Sequence, residues 1–247
     1  SASAKRSTPG CLFFVDKPAI GDMVDLRRRM TMTEKMQELK PFWSYLGGKW
    51  RKSGEYPTPK HGVIIEPFAG AAGYSTRRNS SAQVILIEKD PVIAALWRWL
   101  ITVSEDELLA LPILEPGQNV LDFNLPAPAK TLIGFWLGKG FESPRKRISS
   151  YRAASIARTS WWGEAVRMRI ASQVKHIRHW NLIEGDYTKA PDTEATWFID
   201  PPYQKAGVMY VESASALDFP SLGTWCKQRK GQVLVCENAG ADWLPFE

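Results

Sequence analysis

Apolar residues in this chain fall into short unbroken runs separated by polar, proline- and glycine-rich stretches. Val63-Ile64-Ile65, Val84 to Ile87, Leu182-Ile183, Trp197-Phe198-Ile199 and Val233 to Cys236 have the length and β-branched or aromatic content of buried strands. Between them the period changes. Asp90 and Pro91 open a stretch with Ile93, Leu96, Trp97 and Leu100 on one side, which is an N-cap, a proline at the first helical position and an apolar helical face. Ser104 and Glu107 have the spacing of a capping box at the start of a short helix that Pro112 and Pro116 end. Further helices are expected within 162–180 and around 221–228. Residues 131–137 are too short a run for periodicity to separate strand from buried helix. Near the start, 11–15 fits a short strand and 23–39 a charged helix, after a flexible polar segment 1–10. Strands alternating with helices predict an open α/β sheet, whose ligands bind beyond the carboxyl ends of its strands.

At 247 residues the chain is expected to form one large domain, or one core with an insertion. Three widely spaced cysteines, Cys11, Cys226 and Cys236, give no disulfide framework and point to a reducing compartment. No Cys/His spacing suits zinc, and no apolar run reaches the length of a membrane span. The chain opens on Ser rather than Met, so a processed or incompletely represented chain is expected. The net charge of +6 is unevenly spread: residues 130–178 hold eleven Lys and Arg against Glu142 and Glu164, a local +9. Such a local surplus, with Trp161 and Trp162 interleaved, is the electrostatic footprint expected of a nucleic-acid contact; a solvated surface is the plainer reading.

The candidate chemistry sits at strand ends. Asp200-Pro201-Pro202-Tyr203 follows a buried strand with two fixed φ angles and no N–H at either proline. It offers a carboxylate, free carbonyls and an aromatic ring, a set suited to a planar base bearing an amine. Phe68-Ala69-Gly70-Ala71-Ala72-Gly73 follows another strand with small residues that admit a ligand to the backbone. Glu88 ends the next strand 18 residues after Gly70, where the ribose-binding acid of a Rossmann-like unit falls. Gly47-Gly48-Lys49 offers close backbone approach and a point charge. Asp186 and Tyr187 fit either an adenine site or an ordinary Asx turn with a packing ring.

Taken in order, five pieces resemble the D12-type, Dam-like DNA adenine-N6 methyltransferases, above all the orphan members carried by phages and prophages. They are 42–50 (Phe-Trp-Ser-Tyr-Leu-Gly-Gly-Lys-Trp), 66–75 (Glu-Pro-Phe-Ala-Gly-Ala-Ala-Gly-Tyr-Ser), Glu88-Lys89-Asp90-Pro91, Gly185-Asp186-Tyr187 and Asp200-Pro201-Pro202-Tyr203. The resemblance covers about 41–247. It implies an α/β, Rossmann-like catalytic domain over 41–129 and 179–247, a short basic target-recognition insertion over 130–178, and a segment 1–40 without a counterpart. It further implies S-adenosylmethionine as cofactor, with S-adenosylhomocysteine as product and no metal. The substrate would be double-stranded DNA, bound by a monomer or weak dimer in the cytoplasm of a bacterial host. Asp200, Pro201, Pro202, Tyr203 and Lys49 would be catalytic, acting on an extruded adenine by direct SN2 transfer. Trp43, Gly47, Gly48, Lys49, Phe68, Ala69, Gly70, Ala71, Glu88, Lys89, Asp186, Tyr187 and Asp200 would hold the cofactor. Lys139, Arg145, Lys146, Arg147, Arg152 and Arg158 would contact DNA. Cytosine N4, adenine in RNA, or a silent nucleic-acid-binding homologue are the alternatives. Members of the family usually finish the sheet with a further hairpin, for which little chain follows Cys236.

Overall fold

The computed structural model describes residues 12–16 (backbone only), 38–79, 83–138, 143–148, 161–204, 217–238 and 241–244. Its centre is one six-stranded sheet. The strands are β1 (Leu12–Asp16), β2 (Val63–Glu66), β3 (Gln83–Glu88), β4 (Asn181–Glu184), β5 (Glu194–Ile199) and β6 (Lys230–Cys236), in the spatial order β1-β6-β5-β2-β3-β4. From β6 to β4 all neighbours are parallel, and β1 is antiparallel to β6. The chain therefore builds outward in one direction through β2, β3 and β4, then returns to the other side of β2 to lay down β5 and β6. The order reverses between β2 and β5, and in open α/β sheets the ligand crevice lies beyond the carboxyl ends at such a switch point.

The runs are continuous in sequence because parallel strands bury both faces. Successive side chains serve opposite layers. Ile64, Leu86, Phe198 and Leu234 join one core, and Ile65, Ile87, Ile199 and Val235 the other. The first core is covered by α2 (Pro91–Thr102), α4 (Ala127–Leu137) and α5 (Glu164–Val174), with α3 (Glu105–Leu109) packed against α5. The second is covered by α6 (Phe219–Lys227) and Trp243.

The helix starts follow their expected chemistry. Asp90 accepts from Val92 N ahead of Pro91, and Ser104 and Glu107 form the reciprocal capping box. Residues 131–137 belong to α4, buried on nearly all sides. The strand expected at 11–15 is β1. It pairs with β6 from Leu12↔Cys236 to Asp16↔Gln232, so the antiparallel edge beside β6 is filled from the N-terminal end of the chain. The charged helix expected over 23–39 lies almost wholly outside the described residues. Cys226 and Cys236 are buried free thiols.

The expected insertion 130–178 begins and ends inside the core: Leu132, Ile133 and Phe135 of α4 and Val166, Ile170 and Val174 of α5 share one cluster with the sheet. Among the described residues, no helix is long and apolar enough to cross a membrane and no group of acids, Cys and His has the makings of a metal site.

Candidate active site

Each of the five parallel strands ends on an acid or runs into one: Glu184 on β4, Glu88 on β3, Glu66 on β2, Asp200 after β5 and Glu237 after β6. The crevice side of the sheet is thus acid-lined, although the chain as a whole carries +6.

Arg98 pairs with Glu184, its Nη2 donating to Oε2 at 2.9 Å, and Lys49 pairs with Asp200. Lys49 Nζ donates to Asp200 Oδ2 at 2.8 Å and to Gly47 O at 2.9 Å, and lies 4.8 Å from the centroid of the Tyr203 ring. Gly73, the first residue of α1 (Gly73–Arg77), makes that reach possible. A Cβ there would stand 2.6 Å from Trp50 N and 3.1 Å from Lys49 N, so the absence of a side chain lets the loop lie directly on the helix start. The Lys49 and Asp200 side chains are 14% and 19% exposed, so the pair faces the crevice while mostly shielded. Burial pushes the Asp200 carboxyl up from its ordinary range, and Lys49 opposes that shift. Oδ1 is also 2.8 Å from Nζ, yet among the described residues it accepts no well-angled hydrogen bond. Lys49 and the Tyr203 hydroxyl are the groups that favour the charged form of Asp200.

Around this pair the other groups are held neutral. Burial raises the hydroxyls of Tyr203 and Tyr56 and the thiol of Cys236, and the nearby Asp200 charge adds to each. Glu66, 2% exposed, is pushed up to about 8, chiefly by burial. Its Oε1 accepts from Ser75 N at 2.6 Å. That amide is in the first turn of α1, whose N-cap Ala72 offers no side-chain cap, so Glu66 caps the helix from the strand.

The glycine loop is fixed from both sides. Ala69 N donates to Ile87 O at 3.0 Å, and Gly70 O accepts from Trp97 Nε1 at 2.7 Å. Gly70 and Ala72 have φ of +46° and +44°. Glu88 bridges the loop to α2, Oε2 accepting from Gly70 N and Oε1 from Asp90 N, both at 2.8 Å. Burial raises its carboxyl, and these two amides pull the other way. Phe68 is half-buried and stacks on Tyr187 with centroids 5.5 Å apart; Tyr187 meets Trp225 edge-on at 5.1 Å. Asp186 is exposed, and its Oδ1 accepts from Thr188 N at 2.9 Å and Thr188 Oγ1 at 2.5 Å, which lowers its pKa. The Asx turn is therefore formed, with the carboxylate still at the crevice rim.

The structure brings Lys49, Asp200 and Tyr203 together at the switch point and sets Phe68, Gly70, Glu88, Asp186 and Tyr187 along the neighbouring strand ends. Gly47, Gly48 and Lys89 are exposed; Pro201, Ala69 and Ala71 are buried, and Pro202 is intermediate. Trp43 is a correction. At 1% exposure it is packed against Trp97 (4.8 Å) and Phe135 (6.1 Å), one layer below the crevice, and has no surface left for a ligand. Glu66 and Glu237 are crevice acids that residue-type reasoning did not single out as site residues. An acid closing an apolar run is the signal that finds both.

The basic segment divides in two. Arg167 donates to Leu111 O, Arg169 to Pro41 O, and Arg178 to Ile101 O and Val103 O. These three hold backbone carbonyls of distant segments and are spent on the fold. Arg145, Lys146 and Arg147 are exposed on a strip docked across α4, where Arg145 N donates to Gly134 O at 3.0 Å. Gly134 makes room, since a Cβ there would stand 2.7 Å from Arg145 O. Lys139, Arg152 and Arg158 lie outside the described residues. Compared with known proteins, the chain matches no family model and no curated sequence.

Proposed function

We propose that this protein is an S-adenosylmethionine-dependent DNA methyltransferase acting on adenine N6. The observation that carries the reading is the Asp200 corner. A shielded carboxylate paired with Lys49 stands at the switch point, next to Tyr203 and one strand from a pinned glycine loop. The motif order that resembles Dam-like enzymes supplies the specific chemistry.

The residues fit the cofactor. Glu88 ends β3 with its two oxygens accepting from Gly70 N and Asp90 N, and each oxygen keeps a second lone pair of the kind a ribose diol needs. Phe68 and Tyr187 offer a flat apolar surface and Asp186 an exposed acceptor for an exocyclic amine. When bound, S-adenosylmethionine supplies an electrophilic methyl group on a positively charged sulfur. Asp200 Oδ1 and the Pro201 carbonyl then accept from the N6 amine of an extruded adenine, and Tyr203 backs the ring. Those hydrogen bonds orient a nitrogen whose lone pair is otherwise delocalised into the ring. Lys49 opposes the effect of burial on Asp200 and holds it in place, and placement with preset electrostatics does most of the catalytic work. Outside the crevice, Arg145, Lys146 and Arg147 meet phosphates.

The test is incubation with mixed-sequence DNA and labelled cofactor, followed by nucleoside analysis. N6-methyladenine is the expected product. N4-methylcytosine, or labelling of RNA alone, would move the target within the same chemistry. Absence of both cofactor binding by calorimetry and any methyl transfer would overturn the reading.

A further inference from the structure

We infer that Glu237 is a positioning residue for the Asp200–Tyr203 corner. This rests on the methyltransferase reading only for what the corner does, not for how it is held. Pro201 and Pro202 leave the corner short of N–H groups with which to anchor itself. The amide of Gln204, next after Tyr203, ties it to the neighbouring strand by donating to Glu237 Oε2 at 3.1 Å. The parallel register Ile199↔Val235, carried two residues further, brings Glu237 alongside Pro201.

Glu237 is fully buried, so its carboxylate needs donors from the protein, and it has three. Besides Gln204 N, Trp243 Nε1 donates to Oε2 at 2.8 Å and Asn238 N to Oε1 at 2.7 Å. The Gln204 side chain reaches the same stretch, Nε2 donating to Asp242 Oδ1 at 2.7 Å. The corner, the end of β6 and residues 241–244 thus meet at one carboxylate. Through Gln204 it fixes Tyr203, whose ring lies against Lys49 Nζ, which in turn holds Asp200. Glu237 touches none of the reacting groups and acts through this chain.

Reach, more than charge, is what the role demands, and two variants separate them. Glu237→Asp keeps the charge but withdraws the oxygens, and the 3.1 Å contact to Gln204 is the first to be lost. Glu237→Gln keeps the length and one oxygen for Gln204 N and Trp243 Nε1, while its amide nitrogen gives up the contact from Asn238 N. Glu237→Ala, which buries no charge, carries the same expectation as Glu237→Asp should that variant not fold. Two readouts are taken: amide exchange at Gln204 by NMR, and single-turnover methyl transfer with cofactor affinity measured beside it. In Glu237→Asp, Gln204 exchange should rise about tenfold or more. Transfer should fall roughly ten- to hundredfold while cofactor affinity stays within about threefold. Glu237→Gln should stand within about threefold of wild type in both. Wild-type exchange or wild-type transfer in Glu237→Asp overturns the inference, as does a Glu237→Gln variant as impaired as Glu237→Asp. If the wild-type protein transfers no methyl group, the functional reading fails and the exchange measurement alone decides whether Glu237 holds the corner.

Discussion

Burial raises the carboxyls of both Asp200 and Glu66, and the two differ in what opposes that shift. Asp200 is shielded but has Lys49 at 2.8 Å; Glu66 is buried with only the Ser75 contacts to favour its charged form. Asp200→Asn keeps the size of the side chain but presents an amide donor where the proposed mechanism needs an acceptor. Methyl transfer should drop by about a thousandfold or more, while cofactor affinity changes little. Retained turnover in a radiolabel assay would remove Asp200 from the mechanism. Asp200→Ala is the poorer test because it also strands Lys49 in a shielded site. For Glu66 the linkage has a definite sign. Its folded pKa of about 8 lies above the unfolded value of 4.5, so the folded state binds the proton more tightly. The contribution to stability is whole below pH 4.5, declines as pH rises, and is gone once pH passes 8. Glu66→Gln keeps an acceptor for Ser75 and cannot ionise. Relative to wild type it should gain on the order of a few kcal/mol between pH 5 and pH 8. Parallel melting-temperature curves for the two proteins across that range would refute the buried, protonated state.

At the scale of elements, the arginines after residue 160 have a different fate from the basic strip before it. Arg178 caps the C-terminal end of α2 with its guanidinium on the carbonyls of Ile101 and Val103. Arg178→Gln should cost about 1 kcal/mol in chemical denaturation, and leave the salt dependence of DNA binding unchanged. Replacing Arg145, Lys146 and Arg147 together by Ala should do the reverse, with little loss of stability and a log–log salt slope shallower by about two to three. An unchanged slope would make that strip ordinary surface. The count of charges along the sequence could not make this division, because a guanidinium that caps a helix and one left exposed look alike until the partner carbonyl is placed. Caps were more legible. Asp90-Pro91 and Ser104 with Glu107 act within four residues, so local pattern suffices. For α4 it did not, since that helix is buried nearly all round and no polar face marks its period. Trp43 misled for a related reason: a motif position names a neighbourhood, and whether its ring faces a ligand or Trp97 is set by packing.

In the whole molecule, the strand order places the chemistry. Only because β5 lies beside β2 does Asp200 face the loop that carries Lys49, although 151 residues separate them along the chain. Motif order along the sequence foreshadowed that adjacency, whereas the closing of the sheet by its N-terminal end was invisible. Residues 11–15 read as a strand with no indication of a partner, because strand pairing between distant segments leaves no local mark. The structure lays β1 antiparallel on β6 over five residue pairs. Without it, β6, whose residues from Gly231 onward are all buried, would present an open row of N–H and carbonyl groups on an apolar strand. Its carboxyl end leads directly into Glu237 and so to the Asp200 corner. A chain beginning after Asp16 should therefore lose cooperative stability and self-associate as the uncovered β6 edge seeks another strand. Sedimentation velocity across a concentration series should show mass rising in the shortened protein and not in the full chain. A shortened protein that stays monomeric and melts as the full chain does would mean that β1 contributes nothing to closing the sheet.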